Sequence, residues 1–353
     1  MQSKNFRVSW LRHNRSLAIQ RRGMTAGYAG SEATARAQGN AAGSVGEILH
    51  LLSGGATEAI LLALGDGPMQ TKVLTHRVRG YTPRTTYRYL LKLAQLGLVE
   101  RDDEPSGQAK VVNTLTAEAG RDMCAVVERF AQASVTHLPG GQVELGTWGS
   151  LGLLADLWDA GVVNALSRGS HSPTELVQNQ RGLSYHQVNR KVRQFKEAGF
   201  LCESKRSRNR QRLYSLTEKA RRTMALIAGI GRWRERYMSD FGEEGLSPEE
   251  MATILRASLP LAAPTRHAGT GLRIHVIGRS QETDFWVQLD EMGCVQLSEQ
   301  PAGVIAAEVG GDLEAWLSAL LDGEPALDVE GDEAMVRDCL VSLYEKLWTP
   351  SPF

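Results

Sequence analysis

The chain has 353 residues, 42% hydrophobic and 23% charged, a composition that excludes disordered, collagen-like and disulfide-scaffold classes and allows two or three domains. Its net charge of zero hides a division: residues 1–240 carry 34 Lys and Arg against 20 Asp and Glu, and residues 241–353 carry 6 against 20. The first part attracts polyanions, and the second, repelled by them, faces something else. No apolar run approaches the ~18–20 residues of a membrane span. Cys124, Cys202, Cys294 and Cys339 stand far apart without a CxxC pair, so they read as reduced packing thiols in a cytoplasmic protein, with no local zinc site.

Residues 1–44 read as a flexible basic tail. Lys4, Arg7, Arg12, Arg15, Arg21 and Arg22 precede the first acid, Glu32, and Ser, Gly and Ala dominate the rest. Three readings stay open: a disordered arm that tracks phosphates, a segment like an organelle transit peptide, or an extension ahead of a start at Met24. The absence of a 7–15-residue apolar stretch argues against a secretory signal.

Residues 57–101 and 159–204 align nearly without gaps at an offset of 102, with Gly67 on Gly169, Leu74 on Leu176, Leu93 on Phe195 and Gly97 on Gly199. NTLTAEAGRDM (113–123) and YSLTEKARRTM (214–224) close the two copies. Each copy predicts a helix (about 57–66 and 159–168) and a short second helix (about 69–77 and 173–179). A turn follows, then a third helix capped by Thr82 or Ser184. Thr86, Leu90 and Leu93, like Val188, Val192 and Phe195, recur at helical spacing. Two short strands around a polar loop and a last helix from Thr116 or Thr217 complete the unit. This order predicts two tandem winged helix-turn-helix domains, over 45–135 and 147–240.

TPRTTYRYLLKLAQLGLVER with LTAEAG, and SYHQVNRKVRQFKEAGFLCES with LTEKAR, resemble the HxlR-type branch of the MarR-like winged-helix regulators. The resemblance covers about 57–130 and 159–240. Ala220 and Phe200 depart mildly from that pattern, where Gly and Leu are usual. Such proteins usually carry one unit and dimerise, so two units imply an intramolecular pseudo-dimer that binds double-stranded DNA. With one face of each third helix apolar, the other presents Arg84, Thr85, Arg88 and Lys92 in copy one. In copy two it presents His186, Gln187, Asn189, Arg190, Lys191 and Arg193. Arg, Asn and Gln can bond base edges in the major groove. The second polar loop adds Lys205, Arg206, Arg208, Arg210 and Arg212 as phosphate or minor-groove contacts. The first loop opens with Asp102, Asp103 and Glu104 and offers only Lys110, so copy two should supply most of the electrostatic binding.

Residues 243–350 predict an acidic α+β domain. A helix is capped at Ser247 with Pro248 first, and LRIHVIGR, TDFWVQLD, GCVQLSEQ and GVIAAEV form strands of a small antiparallel sheet. Amphipathic helices follow over 311–323 and 332–348. TDFWVQLDEMG with AAEVGGDLEAWLSALLDGEPALDVEGD resembles the sterol-carrier-protein-like fold over about 270–348. That resemblance implies an apolar tunnel for a lipophilic effector, lined by Phe285, Trp286, Leu289, Trp316, Leu320 and Leu343; ordinary core packing explains the same residues.

The expected fold class is mainly α with small β-hairpins, two tandem winged helices and a C-terminal α+β domain. No Gly-rich phosphate loop, GxSxG or HExxH motif occurs, so the sequence predicts neither an enzyme nor a cofactor. The leading expectation is a cytoplasmic, sequence-specific transcriptional regulator whose C-terminal domain senses a small molecule or mediates assembly, with a homodimer left open. The alternatives are a ligand-sequestering protein and an adaptor using winged helices for protein contacts.

Overall fold

The computed structural model describes residues 44–348 except 79, 104–110, 134–135, 138–142, 145–147, 160, 179–183, 206–211, 239–244, 263, 280, 299 and 301–303. The expected basic tail and most of the arginine-rich loop therefore lie outside the described residues. Among those described, thirteen α-helices accompany four small sheets, a mixed α and β architecture.

The first copy runs α1 (Val45–Ser53), α2 (Ala56–Gly65), β1 (Met69–Gln70), α3 (Thr71–Arg77), α4 (Pro83–Gln95), β2 (Val99–Asp103), β3 (Val111–Leu115) and α5 (Ala119–Ala133). Two short antiparallel strands, β4 (Thr136–His137) and β5 (Val143–Glu144), lead to the second copy. That copy runs α6 (Trp148–Asp159), α7 (Val162–Arg168), α8 (Pro173–Gln178), α9 (Tyr185–Glu197), β6 (Leu201–Lys205), β7 (Arg212–Leu216) and α10 (Glu218–Tyr237). The predicted elements of the repeat all form. Two helices were not foreseen: α1 and α6, one at the head of each copy. The Ser44–Glu47 capping box that starts α1 was a readable signal, with Glu47 N donating to Ser44 Oγ at 3.1 Å and Ser44 N donating back to Glu47 at 3.2 Å.

Local chemistry repeats with the elements. Thr82 Oγ1 accepts from Thr85 N at 3.2 Å to start α4, and Ser184 Oγ accepts from Gln187 N at 3.4 Å to start α9. Gly97 and Gly199 end these helices at φ +69° and +77°, a left-handed geometry that glycine adopts without strain. Thr86, Leu90 and Leu93 on α4, and Val188, Val192 and Phe195 on α9, are all buried as predicted. Phe195 stacks on Phe200 with ring centres 4.7 Å apart.

The copies meet equivalent helix to equivalent helix: α1 packs on α6 and α5 packs on α10. That is the pattern of an isologous interface, here within one chain. On the second seam Trp233 Nε1 donates to the Ala119 carbonyl at 2.8 Å, and the Tyr237 hydroxyl donates to Asp122 at 2.6 Å.

The acidic third follows as α11 (Pro248–Ser258), β8 (Gly271–Ile277), β9 (Glu282–Leu289), β10 (Val295–Ser298), β11 (Ile305–Asp312), α12 (Leu313–Leu321), β12 (Asp328–Gly331) and α13 (Glu333–Trp348). Its sheet has the order β10-β9-β8-β11-β12. The antiparallel sheet expected from the sequence is corrected: β11 runs parallel to β8. The β8-β9-β10 meander leaves one edge of β8 open, and β11 fills it in the same direction before β12 closes the new edge. Strand β12 itself was not foreseen, because DVEG is short and mostly exposed.

Two arginines of the repeats join them to this third. Arg129 of α5 lies 3.9 Å over the Trp348 ring and donates to the Tyr344 hydroxyl at 2.7 Å and to the Leu321 carbonyl. Arg232 of α10, largely buried, pairs with Asp322 at 2.8 Å. Half-buried in α2, Glu58 has its carboxyl pushed up from 4.5 to about 7 by burial. The folded protein thus holds that proton more tightly than the unfolded chain, so stability falls as pH rises from 4.5 to about 7. Glu58→Gln should stabilise the protein at pH 8 by about 1 kcal/mol, a figure reduced for solvent screening, with no gain at pH 4. Urea unfolding at the two pH values measures the difference.

Candidate nucleic-acid interface

The polar faces of α4 and α9 are open to solvent. Arg84, Arg88 and Lys92 are exposed on α4, and His186, Gln187, Asn189, Arg190 and Arg193 on α9. Capping at the N-terminus and an apolar stripe against the core fix these faces in both copies, leaving Arg, Asn and His side chains to project outward.

The candidates are not equally available. Thr85 is partly buried and its hydroxyl lies 2.9 Å from that of Thr82, within the cap. Gln187 Oε1 accepts from Ser184 N at 2.8 Å, completing a capping box. Arg193 pairs with Glu197 at 3.1 Å one turn along the helix, a weak exposed contact. Arg88 and Lys92 flank the Tyr89 ring at 5.2 and 5.8 Å. Lys191 differs most from its sequence reading. Its ammonium donates to Asp156 of α6 at 2.7 Å, and Asp156 also meets His50 of α1 at 3.2 Å.

That pairing has a counterpart in copy one. By the repeat offset, Asp156 matches Gly54 and Lys191 matches Tyr89, and a Cβ on Gly54 would meet Tyr89 Cζ at 2.4 Å. The seam therefore meets the third helix in both copies, through an ion pair from within α6 in one and through a tyrosine lying on Gly54, the residue that caps α1, in the other.

Of the polar loops, Arg212 is exposed and reaches Glu203 at 3.4 Å, the same carboxylate that Lys196 engages. Arg206, Arg208 and Arg210, the side chain of Lys205, and Lys110 lie outside the described residues. Sequence reasoning missed three exposed tyrosines at this surface, Tyr81, Tyr87 and Tyr185. Tyr87 stands one turn from Arg84 and about a quarter-turn round the helix from the buried stripe, on its flank; Arg101 stacks over its ring at 5.1 Å.

In the acidic third, Leu289, Trp316, Leu320 and Leu343 are packed core residues, and Trp286 is half-buried beside Arg273. Trp316 Nε1 donates to the His275 carbonyl at 2.9 Å. Of the six residues named for a tunnel, Phe285 alone lines the cleft of about 730 Å³ that opens between α7, α11 and the sheet. The reading of all four cysteines as packing residues is corrected: Cys124 and Cys339 are buried, their thiols pushed up to about 12 chiefly by burial, but Cys202 and Cys294 are exposed. Among the described residues no cluster of His, Cys, Asp or Glu could hold a metal ion. No single helix among them is long and apolar enough to cross a membrane. No protein-family model, no curated protein and no solved structure matches the chain.

Proposed function

We propose that the protein is a sequence-specific, double-stranded-DNA-binding transcriptional regulator and not an enzyme. Two winged helix-turn-helix units in one chain form an intramolecular pseudo-dimer, and the acidic C-terminal domain senses a small molecule. One observation carries the reading: α4 and α9 bury matching apolar stripes and expose Arg-bearing faces, on two units that join like to like. In this reading each helix enters a major groove, with the second copy's basic loop on the backbone.

Selection of bound duplexes from a random pool, followed by gel shift on the winning sequence, tests the proposal. A defined site bound at least 1,000-fold more tightly than scrambled DNA, in the range on the order of 10³–10⁷ usual for specific binders, supports it; binding no tighter than to scrambled DNA overturns it. If the five loop cations each neutralise a phosphate, that loop alone contributes a slope of about −4 to −5 to log K against log salt. Arg206→Ala with Arg208→Ala should make the measured slope shallower by about 2.

A further inference from the structure

The five-stranded sheet has two unlike faces. One buries Leu272, Ile274, Phe285 and Val287. Strand alternation puts Arg273, His275 and Ile277 of β8, Asp284 and Trp286 of β9, and Glu308 of β11 on the other, and none of these is buried. Pairing extends that second face to β12, where Glu330 stands directly opposite Glu308 and Asp328 opposite Gly310. Arg273 answers Asp284 at 2.9 Å and Glu308 at 3.3 Å, and His275 meets Asp284 at 2.6 Å. Glu330 and Asp328 are exposed, and among the described residues no cation pairs with either. Like charges set opposite each other on neighbouring strands cost stability, so folding alone gives no reason for Glu308 to face Glu330.

Helix α4 carries the complement. Arg84, Tyr87 and Arg88 are neighbours on its surface at i, i+3 and i+4, and all three are exposed. Arg101 of β2 lies over the Tyr87 ring, and Tyr81 is exposed just ahead of the helix. Tyr, Trp and Arg are the side chains enriched at protein interfaces. Copy two has no tyrosine at the matching place: the counterparts of Arg84, Tyr87 and Arg88 are His186, Asn189 and Arg190. We propose that the aromatic and cationic face of α4 on one chain docks on the acidic sheet face of a second copy. The two divisions of the chain carry equal and opposite net charge, so copies attract patch to patch with no overall repulsion to overcome. Arg84 and Arg88 then meet the row of Glu308, Glu330 and Asp328, and Tyr87 packs towards Trp286 and Ile277.

Association is measured on the full chain without DNA, so it stands or falls separately from the proposed regulation. In sedimentation velocity at about 50 mM salt, the mean mass should rise above the 38.6 kDa of one chain as concentration climbs from about 1 to 100 μM. At about 500 mM salt it should stay at one chain. Asp328→Lys with Glu330→Lys and, separately, Arg84→Glu with Arg88→Glu should each weaken association at least about tenfold with the thermal transition retained. All four substitutions in one chain should restore it, a recovery that misfolding cannot produce. A mass of one chain at every concentration in low salt, association undiminished by either pair of substitutions, or no recovery in the fourfold variant overturns the proposal.

Discussion

Replacing Asn189 and Arg190 together by alanine should lower affinity for the selected DNA site by about 2–4 kcal/mol, roughly 30- to 700-fold. Both side chains are exposed on α9. Gln187 and Lys191, in contrast, are engaged in a cap and in the Asp156 ion pair. Both substitutions stand on the solvent face, away from Val188, Val192 and Phe195, so thermal stability should stay within about 1 kcal/mol of the parent. Fluorescence anisotropy against the selected and scrambled duplexes separates the outcomes. Loss confined to the selected duplex assigns base reading to this helix. An equal loss on both assigns phosphate contact, and no loss removes α9 from the interface.

Phe195→Ala should cost about 3–5 kcal/mol of stability, because it opens a cavity under α9 and removes the stacked partner of Phe200. Its counterpart Leu93→Ala should cost about 2–5 kcal/mol without loss of an aromatic pair. Urea unfolding followed by tryptophan fluorescence measures both. A cost below about 1 kcal/mol for Phe195→Ala would mean that α9 is not anchored through this ring.

Most of the repeat was legible because three local signals agreed: apolar spacing in α4 and α9, caps at Thr82 and Ser184, and glycines at the helix ends. Helices α1 and α6 were harder to see: α6 opens on WGSLG, with two glycines of poor helix propensity, and α1 directly follows the small residues Ala41, Ala42 and Gly43. The parallel pairing of β11 with β8 escaped for a different reason. Strand alternation shows which face is buried but carries nothing about the neighbour or its direction. The polar faces of the third helices were also legible, whereas the engagement of Lys191 was not. Its partner Asp156 stands 35 positions away on α6, and only packing brings them together. The cleft was equally unreadable, since Arg168, Arg256 and Phe285 come from three separate parts of the chain.

The like-to-like seam within one polypeptide has a consequence for inheritance and for concentration. Two identical subunits must mutate in step, and they separate when scarce. Here each half changes alone, as Gly54 with Tyr89 against Asp156 with Lys191 already records. The pairing also survives at any dilution. If the protein binds DNA as proposed, it has no need of a palindrome: its two heads are at liberty to favour unlike words in a fixed order, even when only a few copies are present in the cell.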